Sequence, residues 1–456
     1  MDAPLIVAVV GSGPAGFYTA GALLDRTDLN VWVDMYERLA TPWGLVRAGV
    51  APDHPKIKSV SSVYAKIAAH ERFRFFGNVE IGVDVDRTEL IERYDAVVYT
   101  VGAQTDRKLG IPGEGLPGSV AAVDFVGWYN GHPDFTELRF DLSCKRAVVI
   151  GAGNVALDVA RILCSPCEQL AKTDIADHAL DALCKSAIEE VVVVGRRGPA
   201  QAAFTTPELK ELSEFTQSGV VVDPGEVAEL AGEDALPRVV KRNLAVLRGY
   251  AADGTPLGKR HITLRFLRSP VEIRGAGRVE EIVLGRNILR VGEDGWVSAQ
   301  DTGERESLET GLVLRAVGYR GVPIAGLPYD DHKGIIPNSN GRVRDGEREY
   351  VAGWIKRGPT GIIGTNKKCA VETVTQLLAD LDSGALRRHS HMDTDGIESW
   401  LATRQPHLVT EQGWQLIDAV ERAAGGQSGR PRVKLRGRKE LLDVALGRAN
   451  AEISGG

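Results

Sequence analysis

Two glycine-rich turns in this chain have the residue types and spacing to cradle a pyrophosphate. The first, Gly11-Ser12-Gly13-Pro14-Ala15-Gly16, is a G-x-G-x-x-G turn; the second, Gly151-Ala152-Gly153-Asn154-Val155-Ala156, is the G-x-G-x-x-A variant. The glycines permit a tight bend and close backbone approach to the diphosphate, and the following helix aims its unpaired N–H groups at the anion. The strand after each turn ends differently. The first reaches Glu37, whose carboxylate can accept hydrogen bonds from a ribose hydroxyl pair. The second reaches Arg196-Arg197, where an acid would repel a 2′-phosphate and paired guanidiniums offer it bidentate, charge-assisted hydrogen bonds. The second site is therefore expected to select NADPH over NADH.

The elements that must hold these turns are legible around them. Leu5–Val10 and Ala147–Ile150 are short apolar runs of the kind that form buried parallel strands, and each opens directly into its glycine turn. Helices are predicted from Ala15 to about Leu24 and over Leu157–Leu163; the partner strands are Val31–Tyr36 and Val191–Val194. Two further strand-like segments, 95–102 and 312–318, both end in glycine and read as crossovers between domains. A strand at 350–354 and a helix from Ile362 to about Leu381 follow the second crossover. The predicted fold is α/β, with two Rossmann-like dinucleotide-binding domains and the NADPH domain inserted in the FAD domain. Residues 1–105 form the first part of the FAD domain, 106–324 the NADPH domain, and 325–456 the second part with a C-terminal extension. Partial alternation in 261–267 and 279–284 predicts an antiparallel appendage within the insert. From about Ser383 the chain turns polar and carries the basic run Arg430–Lys439, for which disorder or a loose surface wrap is expected.

With 456 residues, 43% hydrophobic and 25% charged, the chain can bury two or three cores. A formal charge of −6 argues against nucleic acid as the main partner. No run of 18 apolar residues is present, and the start at Met1 shows neither a charged signal region nor an Arg/Ser-rich presequence, so a cytoplasmic location without a membrane span is expected. Five scattered cysteines suggest no disulfide framework and fit a reducing compartment. Cys164-Ser-Pro-Cys167 is a C-x-x-C, but it follows the second glycine turn instead of preceding it. A helix-capping role is expected over a redox dithiol, and the missing second ligand pair argues against a metal site.

Two dinucleotide sites in one chain suit a tightly held FAD facing a transient NADPH. Nicotinamide gives up only hydride, whereas a flavin accepts hydride and releases electrons singly or in pairs. No covalent side-chain intermediate is required, and no catalytic triad is visible. Further motifs carry a resemblance: Thr41-Pro-Trp-Gly-Leu-Val-Arg-Ala-Gly-Val-Ala-Pro-Asp-His-Pro-Lys56, Arg72-Phe-Arg-Phe-Phe-Gly-Asn-Val79, Phe125-Val-Gly-Trp-Tyr-Asn130, Gly153-Asn-Val-Ala-Leu-Asp-Val-Ala-Arg161, Gly195-Arg-Arg-Gly-Pro199 and Gly353-Trp-Ile-Lys-Arg-Gly-Pro-Thr-Gly361. From about Leu5 to at least Leu381 the chain resembles the adrenodoxin reductase family, and within it the actinobacterial NADPH–ferredoxin reductases.

The resemblance implies transfer of hydride from NADPH to FAD and then of single electrons to an acidic iron–sulfur ferredoxin. It implies that Ser12, Ala15, Glu37, Leu45 and the backbone near Ile81 hold FAD with Gly11, Gly13 and Gly16, and that Trp354 and Gly361, Ile362 and Ile363 lie along the isoalloxazine. Arg107, Asn154, Val155, Ala156, Arg196, Arg197 and Glu208 are implied NADP contacts. His54 and Glu211 correspond to polar groups beside the flavin, candidates for steering protons or nicotinamide geometry. Lys210, and Lys241, Arg242 and Arg248 at spacings that could share a helix face, are the expected ferredoxin-docking cations. The competing functions are a disulfide or quinone reductase, for which Cys164 would matter, and a flavin-based redox sensor.

Overall fold

The computed structural model describes residues 4–215, 219–228, 232–254, 260–388 and 394–448. The chain forms two compact units: one from residues up to Val50, His54–Thr105 and Tyr319 onward, the other from Ala51–Asp53 and Asp106–Gly318. The return crossing thus falls at Gly318–Tyr319, six residues before the expected 324–325. Tyr319–Arg320 forms a short ladder with the outgoing strand at Thr105–Asp106, so both passages lie in the same two-stranded pairing.

In the first unit, five parallel strands lie in the order Glu349–Val351, Ala96–Tyr99, Leu5–Val10, Val31–Glu37, Phe73–Gly77. Antiparallel strands Arg342–Val343 and Asn338–Ser339 complete one edge. Every residue of Leu5–Val10 is buried, because the sheet is covered on both faces: Leu5, Val7 and Val9 pack with Phe17, Ala20 and Leu23 of helix Pro14–Leu24, while Ile6, Ala8 and Val10 join Tyr36, Val97 and Tyr99 in a second core. The winding direction reverses between Leu5–Val10 and Ala96–Tyr99. Such a switch point leaves a crevice beyond the strand carboxyl ends, where the Gly11–Gly16 turn stands.

The second unit repeats the device. Its six-stranded sheet runs Ser119–Ala121, Leu312–Arg315, Arg146–Ile150, Glu190–Val194, His261–Arg265, Gly219–Val222, with all pairings parallel. His261–Arg265 is therefore an interior strand of the central sheet and not part of an antiparallel appendage. The appendage is built instead from Arg268–Arg274, Glu281–Val291 and Val297–Glu309. No helix among the described residues is long and apolar enough to cross a membrane.

The expectation of disorder or a loose wrap beyond Ser383 is overturned. Helices Thr394–Arg404, Glu411–Gln427 and Arg438–Ala445 pack onto the first unit, burying Ile397, Leu401, Trp414, Ile417 and Leu441. The basic run is held by a buried acid. Glu421 is fully inaccessible and accepts hydrogen bonds from Arg47 at 2.8 and 2.5 Å, from Arg432 at 2.9 Å and from the Leu435 N–H at 2.9 Å. The Lys434 ammonium donates to the Arg47 carbonyl. Burial opposes ionisation of Glu421, yet the two guanidiniums outweigh it and bring its pKa below the ordinary value.

The cysteines depart from expectation in one respect, a disulfide where none was expected. Cys167 is disulfide-bonded to Cys184, while Cys164 is a buried thiol outside that bond, its pKa pushed up by burial to about 12. Cys164 and Cys167 thus form no dithiol pair. Helix Asn154–Cys164 ends on Cys164, and the short helix that begins at Cys167 turns the second cysteine toward the end of helix Asp177–Cys184.

Candidate functional site

In the first unit the glycine turn is fixed by sterics. Gly11 has φ +105°, and a Cβ there would stand 2.8 Å from the Thr100 carbonyl oxygen; a Cβ on Gly16 would stand 2.0 Å from that of Gly11. Gly13 is the opposite case, with open space where a Cβ would point. The first and third glycines therefore let helix and strand close on each other, and the second leaves room for a ligand's approach. Glu37, at the end of Val31–Glu37, is held by the turn: Ser12 donates through its hydroxyl (2.6 Å) and its N–H (3.2 Å) to one carboxylate oxygen, and the Leu39 N–H donates to the other at 3.0 Å. The oxygen that accepts from Leu39 keeps a lone pair for a further donor.

The segment after Glu37 seals one side of the turn. The Trp43 N–H donates to the Ser12 carbonyl (3.0 Å), and a Cβ on Gly44 would meet the Gly13 Cα at 2.9 Å. Leu45 opens the short helix Leu45–Ala48, and Ile81 lies in a small bridge with Val85. On the returning chain, Gly353 packs on Ala15, where a Cβ would come within 2.5 Å of the Ala15 Cβ. Trp354 then presents a buried indole N–H with no hydrogen-bond acceptor among the described residues. Gly361 takes φ +81° and Ile362 is 64% exposed, immediately before helix Ile363–Asp382. An open glycine in the turn, with an unsatisfied buried donor and an exposed isoleucine on the segment that follows Gly353, fits a group with a phosphate end and a broad apolar ring with polar edges.

In the second unit Gly151 has φ +138°, with the Ala316 carbonyl 2.3 Å from where a Cβ would stand, and Gly153 again faces open space. Asn154 starts helix Asn154–Cys164 and accepts a hydrogen bond from the Thr205 N–H at 2.8 Å, Val155 is half-buried and Ala156 buried. Arg196 and Arg197 follow Glu190–Val194 as expected from their spacing. Arg196 is exposed and makes no ion pair among the described residues; Arg197 lies over the Trp296 ring, 5.4 Å from its centroid. Exposed Arg107 sits beside Gly318, its N–H donating to that residue's carbonyl. Both units thus present a glycine turn that is open at its second glycine, and in the second unit the next strand runs into the exposed Arg196.

Glu208 and Glu211 occupy helix Thr206–Phe215, within a charge cluster that spacing alone did not reveal. At its centre is Arg161, completely buried. It donates to Asp53 at 2.6 and 2.9 Å and to Asp158 at 2.8 Å, and stands 3.7 Å from Glu208 and 3.9 Å from Glu211. One guanidinium cannot neutralise four carboxylates. Burial first, and then the Asp158 charge, raise the Glu208 pKa to about 8, so this carboxyl holds a proton near neutrality. His54 is buried and directly follows Asp53, at the start of helix Pro55–Lys58. The spacing of Asp158 and Arg161 along one helix was the only local signal for the cluster.

Of the expected docking cations, Lys210 and Arg242 are exposed, and Lys241 donates to the Asp234 carbonyl. Arg248 does not belong with them. It forms a two-pronged pair with Glu233 at 2.7 and 2.6 Å and also donates to the Val227 and Ala228 carbonyls, so its guanidinium ties a loop to helix Arg238–Asp253.

Comparison with known proteins agrees with this architecture. Residues 6–249 match the family described as pyridine nucleotide-disulphide oxidoreductase. The chain is 58% identical to the NADPH-ferredoxin reductase FprA of Mycobacterium tuberculosis, over 97% of this chain and 100% of that one. It is 45% identical to the mitochondrial NADPH:adrenodoxin oxidoreductase of Salvelinus fontinalis, over 96% and 91% of the respective chains. Among solved structures, Mycobacterium tuberculosis FprA in complex with NADPH superposes with a TM-score of 0.94 at 57% identity, covering 98% of this chain and 100% of that one. The chain therefore belongs to the pyridine nucleotide-disulphide oxidoreductases and, within them, to the adrenodoxin reductase family of NADPH–ferredoxin reductases.

Proposed function

We propose that the protein is a ferredoxin–NADP(+) reductase that takes hydride from NADPH and delivers electrons singly to an iron–sulfur ferredoxin through bound FAD. The observation that carries this reading is the contrast between two otherwise matching turns: Glu37 closes one, and the exposed Arg196 with Arg197 closes the other. Gly11, Ser12, Gly13, Ala15 and Gly16 would receive the FAD diphosphate and Glu37 its ribose. Leu45, Ile81, Trp354, Gly361, Ile362 and Ile363 would line the rest, with the free indole N–H of Trp354 supplying a donor. When bound, FAD supplies the exchange between two-electron and one-electron chemistry that no side chain can perform. Asn154, Val155 and Ala156 would receive the NADPH diphosphate, Arg196 and Arg197 its 2′-phosphate, and Arg107 and Glu208 its remaining polar groups. A protonated Glu208 can donate a hydrogen bond that a carboxylate cannot. His54 and Glu211 are assigned to nicotinamide and proton positioning.

Coenzyme choice tests the second site. Each charge-assisted hydrogen bond to the 2′-phosphate is worth about 1.5–3 kcal/mol, so replacing both arginines by alanine should lower kcat/KM for NADPH on the order of 10²- to 10⁴-fold while sparing NADH. Equal losses with the two coenzymes would refute the assignment.

For the acceptor, Lys210 and Arg242 are the cations proposed to meet an acidic ferredoxin, with Lys241 beside them. Neutralising Lys210 and Arg242 should slow ferredoxin reduction at low ionic strength and flatten its salt dependence, leaving ferricyanide reduction unchanged. A variant that tracks the wild type across the salt series would remove this surface from the docking site.

A further inference from the structure

The antiparallel hairpin of the second unit ends in an exposed tryptophan that rests on one of the two coenzyme-selecting arginines. Strands Glu281–Val291 and Val297–Glu309 meet with Val291 opposite Val297, and the connecting turn fixes Trp296. The Gly292 N–H donates to the Trp296 carbonyl, and the Trp296 N–H to the Asp294 carboxylate, both at 2.9 Å. The indole is 63% exposed, with Val291 at 72% beside it. Apolar surface left in water at a hairpin tip gains nothing for folding. Its one described ring contact is the Arg197 guanidinium, 5.4 Å from the ring centroid.

The hairpin is tied to the arginine turn and does not meet it by chance. Asn287, itself buried, donates through its side chain to the Arg196 carbonyl at 2.8 Å and through its backbone to the Leu267 carbonyl. The Leu267 N–H in turn donates to the Arg197 carbonyl. Leu289 reaches within 3.3 Å of where a Cβ on Gly198 would stand, so even the next residue of the turn is matched to this strand. A guanidinium held over an aromatic face by its charge keeps N–H donors for an anion. The contact also removes rotamer freedom that a phosphate contact would otherwise have to freeze.

We propose that Trp296 is a positioning residue that holds the Arg197 guanidinium edge-on to the 2′-phosphate of NADPH, making the hairpin tip a determinant of coenzyme choice. The inference rests on the reading of Arg196 and Arg197 as the 2′-phosphate site. Calorimetric titration of the holoenzyme with 2′,5′-ADP, which carries that phosphate without nicotinamide, tests it alongside steady-state kinetics. Trp296→Ala should raise the 2′,5′-ADP Kd roughly 3- to 30-fold, raise KM for NADPH with kcat unchanged, and leave KM for NADH as in the wild type. Trp296→Phe, which keeps an aromatic face, should recover most of the affinity. If Trp296→Ala binds 2′,5′-ADP like the wild type while Arg197→Ala binds it weakly, the phosphate site stands and the positioning role is overturned. Equal rises in KM for NADPH and NADH would also overturn it, because the ring would then serve both coenzymes alike. If Arg197→Ala itself leaves 2′,5′-ADP binding unchanged, the phosphate-site reading fails and this inference falls with it.

Discussion

Replacing Glu421 by glutamine should loosen the first glycine turn from a distance. The side chain keeps its shape but loses the charge that Arg47 and Arg432 share in a site with no solvent access. Each of those guanidiniums also lies over a tryptophan, Arg47 over Trp414 and Arg432 over Trp43, at 5.5 Å, and the two indoles pack edge-on at 4.8 Å. Trp43 is hydrogen-bonded through its backbone to Ser12 of the turn, so the perturbation has a short path to the proposed FAD site. Breaking a buried ion pair by removing one partner costs about 3–5 kcal/mol. For a cooperative unit of this size that corresponds to a fall in Tm of roughly 6–20 °C. The pKa of Glu421 is lowered in the folded protein, so its contribution is present above the ordinary carboxylate pKa and is lost as pH falls through the lowered folded value. The difference between wild type and variant should therefore be full at pH 7 and shrink below about pH 4. Flavin fluorescence on release and far-UV circular dichroism, followed together on heating, read both effects. A Glu421→Gln protein that melts with the wild type at pH 7 would refute the claim that this charge holds the C-terminal helices in place.

Two further outcomes concern the second unit. Because the Glu208 pKa is raised to about 8, the wild type should lose stability as pH rises from the ordinary carboxylate range through that value, and Glu208→Gln should not; thermal melts at pH 5, 7 and 9 should show the variant gaining on the wild type, and a constant gap would contradict the raised pKa. The Cys167–Cys184 disulfide spans a sequence separation of 17, so reducing it should cost about 3 kcal/mol. Dithiothreitol should lower the wild-type Tm and leave that of Cys167→Ser unchanged, and a wild-type Tm insensitive to reductant would remove the bond from the stability of the unit.

What the sequence made legible was local. The strand, glycine turn and helix of each dinucleotide fold are contiguous in the chain, and burial on both sheet faces writes them as unbroken apolar runs such as Leu5–Val10. Where the fold draws on distant residues, the reading failed for identifiable reasons. His261–Arg265 alternates like an edge strand, yet it is inserted between Glu190–Val194 and Gly219–Val222, and no periodicity specifies which strands will flank another. The Arg430–Lys439 run looks like a solvated tail when only its charges are counted, because the acid that neutralises Arg432 belongs to the preceding helix and the other cation on that acid comes from Arg47. The Arg161 cluster has the same character, with carboxylates from positions 53, 158, 208 and 211 meeting on one guanidinium. Arg248 shows the converse: its spacing suggested a cationic face, while Glu233 and two carbonyls accept hydrogen bonds from its guanidinium. Charge patterning along one segment reveals what a side chain can do, and only the partners brought in by the rest of the chain decide whether that capacity is left for a ligand. By that criterion Arg196, exposed and without an ion-pair partner among the described residues, is a stronger candidate for an anionic ligand than Arg248, whose guanidinium is held by Glu233.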